Sequence, residues 1–278
     1  MMGAVVSFST MAVAGRAVFE ELDVYQLMFY RSAIGLTLVM IYAACTPGGF
    51  RKFRTHRIKL HIIRNSSHLV GQFGWFFALG LIPLAQLFAL EFTTPLWVAA
   101  LAPLLLGERL TKMRLVAVSL GFAGVLIVLR PGLEAVSLGS IVMLIGSVGF
   151  AGAMMGTKSL STTEQPVTIL FYMALVQTPV GLLLAFRDLN WPSPVTGLWL
   201  ILVAVLGFTA HFCIVRAVSL ADAIVVAPLD FIRLPLIAVV GWLAYDEVLD
   251  PYVLLGAVGI FGGNYLNIRS GRRRRKKP

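Results

Sequence analysis

Four ionisable residues lie inside long apolar stretches of the 278-residue chain. Arg31 and Glu91 belong to the first half, and Asp230 and Arg233 to the second. Asp230 and Arg233 are three positions apart, which places them on one face of a helix. A charge inside a bilayer is costly, so it usually faces a cavity or a charged partner. The two acids and two bases therefore predict a polar site in an apolar core.

Two interpretations of these charges remain open from the sequence. In the first, they are structural ion pairs that neutralise one another. In the second, they bind the charged ends of a small substrate, and one carboxylate is able to carry a coupling proton. Separate substitutions of Glu91 and Asp230 would distinguish the two, because only a binding site requires these acids for substrate uptake.

Polar and aromatic residues elsewhere complete the predicted substrate site. His68, Gln72 and Trp75 belong to one apolar stretch, and His211 lies in another. Histidine titrates near neutral pH and therefore suits proton coupling. A single histidine in a helix is more often a hydrogen-bonded packing residue, and tryptophan more often faces lipid. Both readings stay open for these residues.

The composition indicates what kind of protein carries this site. Hydrophobic residues make up 58% of the chain and charged residues 13%, whereas soluble domains carry about 25% charged residues. A spanning helix needs about 20 apolar residues. The apolar runs are continuous rather than alternating, which excludes a β-barrel. We predict an all-α integral membrane protein.

Ten transmembrane helices are predicted from the spacing of the charges. The first apolar run is interpreted as a retained helix rather than a signal peptide. The predicted spans are 2–19, 24–45, 62–81, 84–106, 113–130, 136–157, 166–186, 197–216, 222–244 and 251–268.

The basic residues predict the orientation of these helices. Lysine and arginine of short loops stay in the cytoplasm, and they cluster in alternate loops if both termini are cytoplasmic. The chain carries a net charge of +10, but seven basic residues lie in the last ten positions. This tail is typical of a membrane-flanking segment, not of a nucleic-acid-binding protein.

An internal repeat relates the two halves of the chain. Glu91-Phe92 matches Asp230-Phe231, and Glu108-Arg109-Leu110 matches Glu247-Val248-Leu249 at the same offset. Five helices in each half force the second copy to face the opposite way. Inverted repeats are how many transporters build two conformations around a site near the midplane. We predict two inverted five-helix repeats, over 1–132 and 133–268, and a basic tail over 269–278.

Enzyme and cofactor motifs are missing from the sequence. There is no HExxH, GxSxG or phosphate-binding loop, and Cys45 and Cys213 have no metal-binding or redox spacing. We expect no cofactor and no metal. The alternative to transport is an intramembrane enzyme that uses Glu91 and Asp230 as an acid pair. The predicted partners are a small-molecule substrate and the lipid bilayer, and the protein is either a monomer or a homodimer.

The chain resembles EamA-type members of the drug/metabolite transporter superfamily. The resemblance covers nearly the whole chain and rests on motifs in both halves. These are Phe29-Tyr30-Arg31, Gly107-Glu108-Arg109-Leu110 after Pro95, Ala221-Asp222-Ala223 with Pro228, Asp246-Glu247, and Gly256-Ala257.

The resemblance implies secondary transport of small organic metabolites across the bacterial inner (plasma) membrane, by proton coupling or by exchange. It also implies a cavity lined by helices 1–4 and 6–9, with helices 5 and 10 at the periphery. The segment from Ala223 to Pro228 is similar to that of S-adenosylmethionine importers, and related members move other metabolites, riboflavin included.

Overall fold

The computed structural model describes residues 2–106, 112–131, 135–220 and 232–275, with the backbone alone at 102–106, 114, 215–220 and 270–275. Regular secondary structure in these ranges is helical, with a short 3-10 helix at Gly49–Phe53. The α-helices are α1 (Met2–Val18), α2 (Val24–Cys45), α3 (Ile58–Leu79), α4 (Leu84–Glu91), α5 (Thr94–Leu106), α6 (Lys112–Leu129), α7 (Leu138–Leu160), α8 (Pro166–Ala185), α9 (Pro194–Leu220), α10 (Arg233–Tyr245) and α11 (Pro251–Arg275).

Several helical segments of the described chain are long and apolar enough to cross a membrane. Five meet this criterion, and three more apolar helices are shorter. The five are Val24–Cys45, Leu84–Leu101, Leu138–Leu160, Pro166–Ala185 and Pro194–Ile214. The chain is therefore a multi-pass membrane protein with an all-helical fold.

Local sequence sets the helix starts. The Asp23 side chain accepts a hydrogen bond from the Gln26 backbone N–H at 2.8 Å, which caps α2. Prolines begin α8, α9 and α11, because the first helical residue needs no backbone donor and proline has a helical φ.

Most predicted spans agree with the observed helices within a few residues. α3 begins at Ile58 rather than 62, α9 is longer at both ends, and α11 continues to Arg275. Lysine and arginine are good helix formers, so α3 and α11 extend past the ends of their apolar runs. The segment 222–231 of the predicted ninth span lies outside the described residues.

The two halves of the chain pack against each other helix by helix. α3 packs along α7, α6 along α11, α2 along α8, and α1 along α9, and α4 contacts α10. Each pair joins one helix from the first half of the chain to one from the second. The main core cluster of buried residues draws side chains from both halves.

Glycines allow the closest of these approaches. A Cβ at Gly124 of α6 would lie 2.5 Å from the Gly256 carbonyl oxygen of α11. A Cβ at Gly74 of α3 would lie 2.8 Å from the Val142 carbonyl oxygen of α7. Only backbone without side chains fits at these points, which is typical of membrane helix pairs.

The substitution Gly124→Ala tests this packing. We expect it to destabilise the protein by about 1–3 kcal/mol, because the added methyl group forces α6 and α11 apart. Gly197→Ala is the matched control, since nothing lies within 4 Å of a Cβ at that position. Thermal unfolding in detergent measures both variants, and equal melting temperatures would contradict the close approach.

Candidate functional site

Glu91, the first acid of the predicted site, lies at a break between two helices. α4 ends at Glu91 and α5 begins at Thr94. Pro95 lacks the N–H that would donate to the Glu91 carbonyl in a continuous helix. The Thr94 hydroxyl donates to that carbonyl instead, at 2.8 Å. The predicted span 84–106 is therefore present as two helices separated by a short break rather than as one uninterrupted helix.

Side chains hold the break in place. The Thr93 hydroxyl donates to the Leu90 carbonyl at 2.6 Å, and the Asn264 amide of α11 donates to the Phe92 carbonyl at 2.8 Å. Backbone groups inside a bilayer need such partners because lipid offers none. The break is thus a built feature that fixes the position of Glu91.

The Glu91 carboxylate joins residues from three helices. One oxygen accepts a hydrogen bond from Arg233 of α10 at 3.0 Å, and this contact is also an ion pair. The other accepts from the indole nitrogen of Trp75 of α3 at 2.8 Å. Trp75 and Arg233 are almost completely buried. The structure therefore brings together three of the predicted site residues, and Trp75 faces the protein interior rather than lipid.

Three aromatic rings surround the Arg233 guanidinium. Its central carbon lies 4.7 Å from the ring centroid of Phe8, 4.9 Å from that of Phe88 and 5.0 Å from that of Phe92. The negative face of an aromatic ring attracts a cation, most strongly where water is excluded. Phe8 was missed from the sequence, because one apolar residue in an apolar helix gives no signal.

The two predicted histidines lie side by side. The ring centroids of His68 and His211 are 5.3 Å apart, and Gln177 contacts Nδ1 of His68 at 3.0 Å. Phe8 lies edge-on to His211 at 5.7 Å, so it separates this pair from Arg233. The predicted Gln72 donates to the Met28 sulfur at 3.3 Å. The polar core therefore has two parts, one around Glu91 and one around the histidines.

A polar stripe along α3 contributes to both parts. His61, Arg64, His68, Gln72 and Trp75 recur every three or four residues, and all are buried. This spacing places them on one face of the helix. Arg64 was missed from the sequence because it lies near the charged start of the apolar run. Its hydrogen bonds go to neutral groups, the Thr157 hydroxyl at 2.9 Å and the Asn65 carbonyl oxygen at 2.7 Å.

Arg31 lies apart from the Glu91–Arg233 ion pair. It is 5% exposed and lies over the Phe76 ring at 5.7 Å. A Cβ at Gly207 would come within 2.7 Å of its Nη2 atom. Within the described residues, no carboxylate pairs with Arg31 and its Nε has no hydrogen-bond partner. Asp230, the fourth predicted charge, lies outside the described residues.

Polar contacts also join the loops at one end of the helices. Arg16 of α1 pairs with Glu247 at 2.5 Å and donates to the carbonyls of Leu79 and Ile82. Glu247 also accepts from the Leu84 N–H at 2.9 Å. These contacts tie α1 to the loops before α4 and after α10.

A second contact of this kind joins the α1–α2 loop to the start of α9. The Glu21 carboxylate accepts hydrogen bonds from Thr196 and from Ser193. These bonds hold the pKa of Glu21 below its usual value. Because the lowered pKa reflects bonding to the ionised form, the contact is present at neutral pH and is lost as the pH falls through that lowered value.

The substitution Trp75→Phe tests the hydrogen bond to Glu91. We expect a loss of about 1.5–3 kcal/mol in the free energy of unfolding, because the acceptor is charged. Trp97→Phe is the matched control, since the Trp97 indole nitrogen has no hydrogen-bond partner among the described residues. Thermal unfolding should separate the two variants, and equal losses would show that Trp75 acts through ring volume alone.

Comparisons with known proteins agree with this architecture. The profile of the EamA-like transporter family matches residues 1–130 and again 137–269. One solved crystal structure superposes with a TM-score of 0.62 at 17% identity, covering 99% of this chain and 97% of that one. This similarity shows a shared fold.

Curated relatives are transporters of small molecules. A riboflavin transporter of Brucella anthropi is 30% identical over 240 residues, 84% of each chain. An S-adenosylmethionine uptake transporter of Rickettsia bellii is 27% identical over 278 residues, 98% of this chain and 93% of the relative. A pseudopaline exporter of Pseudomonas aeruginosa is 28% identical over 254 residues, 91% of this chain and 88% of the relative. The resemblance found in the sequence is confirmed, and the chain belongs to the EamA-like transporter family.

Proposed function

We propose that the chain is a secondary transporter that moves a small organic metabolite across the bacterial inner membrane by alternating access. The family and its named relatives support small-molecule transport. The observation that carries the proposal is the ion pair between the buried Arg233 and the partly buried Glu91, which joins a broken helix of the first half to a helix of the second. Broken helices and buried charges mark substrate pathways in membrane proteins.

Two inverted five-helix repeats provide the framework of this proposal. The family profile matches two consecutive segments of similar length. In the proposed count of five spans per half, α4 and α5 are one broken span. The helix pairing supports the same relation. If the two halves are exchanged, α1 takes the place of α7 and α9 takes the place of α3, so the α1–α9 pair becomes the α3–α7 pair. The remaining pairs each join a helix to its equivalent in the other half; they are α2–α8, α4–α10 and α6–α11. Such a symmetry allows the same contacts to close either end of the bundle in turn.

The contacts of Arg16 and Glu21 close the outer side in this proposal. Both acids that they involve, Glu247 and Glu21, lie in loops that the positive-inside rule assigns to the outside, with both termini in the cytoplasm. The Arg16–Glu247 pair connects the two halves directly. The conformation is therefore closed to the outside, and opening requires this pair to separate.

The substrate site is proposed to be the two-part polar core. Among the described residues it comprises Glu91, Arg233 and Trp75 on one side of Phe8 and Arg31, His68, Gln72 and His211 on the other. The relatives make riboflavin and S-adenosylmethionine the first compounds to test. The alternative, an intramembrane enzyme that uses Glu91 and Asp230, would release a converted product rather than the compound supplied.

Flux through proteoliposomes tests the proposed function. We expect saturable uptake of a small organic metabolite, recovered unchanged from the lumen, in a series of compounds that begins with riboflavin and S-adenosylmethionine and includes riboflavin 5′-phosphate and nicotinate. Glu91→Gln should lower the uptake rate by about tenfold or more, because it removes the negative charge of the carboxylate that pairs with the buried Arg233. Arg187→Gln, at an exposed position, is the control and should transport normally. Uptake that rises linearly and equals that of protein-free liposomes would contradict the proposal, and a converted product would favour the enzyme.

Cysteine labelling tests the outer closure. Ala12 lies one turn before Arg16 on α1 and is fully buried. The variant Ala12→Cys, made in a Cys45→Ser, Cys213→Ser background, should therefore react slowly with an impermeant maleimide added from outside. Arg16→Gln should raise that rate several-fold by releasing Glu247. Arg130→Gln breaks a different ion pair, with Asp250, between the proposed peripheral helices and should leave the rate unchanged. Equal effects of both substitutions would show general loosening rather than a gate.

A further inference from the structure

We propose that the transported metabolite is an organic anion whose carboxylate or phosphate group binds between Arg31 and Arg64, beside the His68–His211 pair. This inference rests on the proposed transport function and names the substrate class of that site. It also adds Arg64 to the residues that contact substrate.

The positions of the two arginines define the site. Arg64 precedes His68 by one turn of α3, and the Arg31 guanidinium lies against Gly207, one turn before His211 on α9. The two histidine rings are in contact, and in the proposed topology α3 and α9 run in opposite directions. Arg31 and Arg64 therefore flank the histidine pair from opposite ends, each about one turn, roughly 5.4 Å, away along the helix axis.

No acidic residue within the described part of the chain balances the positive charges of Arg31 and Arg64. Within the part of the chain that the structure describes, Arg64 donates only to the neutral Thr157 and Asn65, and Arg31 pairs with no carboxylate. Glu91 lies in the other part of the core, where it pairs with Arg233. Two buried guanidinium groups that no carboxylate of the described residues neutralises favour an anionic ligand and disfavour a cationic one.

Unused hydrogen-bond donors support the same conclusion. Arg31 Nε, Asn65 Nδ2 and His68 Nε2 are buried and have no partner among the described residues. The Gln177 amide nitrogen lies 3.0 Å from Nδ1 of His68; an amide nitrogen only donates, so in this orientation of the amide the neutral ring accepts at Nδ1 and carries its proton on Nε2. A carboxylate or phosphate supplies several acceptor oxygens and forms short, charge-assisted bonds with such donors.

Aromatic rings flank the same site and indicate an organic anion rather than an inorganic one. Phe150 lies edge-on to His68 at 5.6 Å, and Phe8 lies edge-on to His211 at 5.7 Å. These rings provide apolar surface for the body of a ligand, while the arginines bind its charged end.

Matched pairs of compounds test the inference on the purified full-length protein. The pairs are riboflavin 5′-phosphate with riboflavin and nicotinate with nicotinamide, and thermal stabilisation gives the apparent affinity. We expect at least one anion to bind about tenfold or more tightly than its neutral partner, as one charge-assisted contact predicts. Equal stabilisation by both members of each pair, or stabilisation by neither anion, would overturn the inference.

Variants locate the binding of the anion. Arg31→Gln and Arg64→Gln should each weaken anion binding by about tenfold or more, while Arg31→Lys and Arg64→Lys, which keep the charge, should weaken it less. Arg187→Gln, at an exposed position, is the control for charge alone. If a glutamine variant does not fold, the lysine variants and the compound pairs on the unaltered protein still decide the question.

The test also separates this inference from the proposed function. Saturable uptake of a neutral metabolite that is unaffected by Arg31→Gln would leave the transport proposal intact and overturn the anion site. Anion binding without saturable uptake of any bound compound would support the site and contradict transport.

Discussion

The ion pair between Glu91 and Arg233 is the interaction on which the rest of the polar core depends. Arg233 is 2% exposed and has three aromatic rings against its guanidinium. Removal of one partner from such a pair leaves a buried charge, at a cost of about 3–5 kcal/mol. The position of Glu91 in turn follows from the helix break at Pro95, which Thr93, Thr94 and Asn264 stabilise. The helix break and the ion pair therefore lie at the same position in the structure.

The packing of the surrounding helices bears on how the Glu91–Arg233 contact could move during the proposed transport. Glycine-lined pairs such as α6–α11 hold the bundle together with little side-chain volume between the backbones. The Arg16–Glu247 and Glu91–Arg233 ion pairs are polar contacts that join the two halves of the chain. Polar pairs can exchange one partner for another at modest cost, whereas a packed apolar interface resists separation. The proposed movement therefore occurs at the Arg16–Glu247 and Glu91–Arg233 contacts, while the glycine-lined pairs stay intact.

The helices and the charged residues could be predicted from the sequence, but the partners of those charges could not. Continuous apolar runs identify helices because a bilayer demands about 20 apolar residues per span. Pairing depends on how each helix is rotated, and so Glu91 meets Arg233 while Arg31 lies elsewhere. The break after Glu91 depends on Pro95 and on hydrogen bonds from threonine and asparagine side chains. The asparagine belongs to α11, so its contribution depends on tertiary packing. Arg64 could have been found from its spacing of four to His68 and eight to Gln72, since that stripe continues the helical period past the apolar run.

The central claim is that the Glu91–Arg233 pair serves substrate transport and is more than a structural ion pair. Uptake by Glu91→Gln, by Arg233→Gln and by the double variant tests it most directly, with thermal stability measured on each. The double variant removes one positive and one negative charge together and so keeps the net charge of the core unchanged, and its stability should recover relative to the single variants. We predict that its uptake stays about tenfold or more below that of the unaltered protein, by analogy with the loss of a charge-assisted contact. Recovery of uptake to the unaltered level in the double variant would contradict the claim and identify the pair as structural.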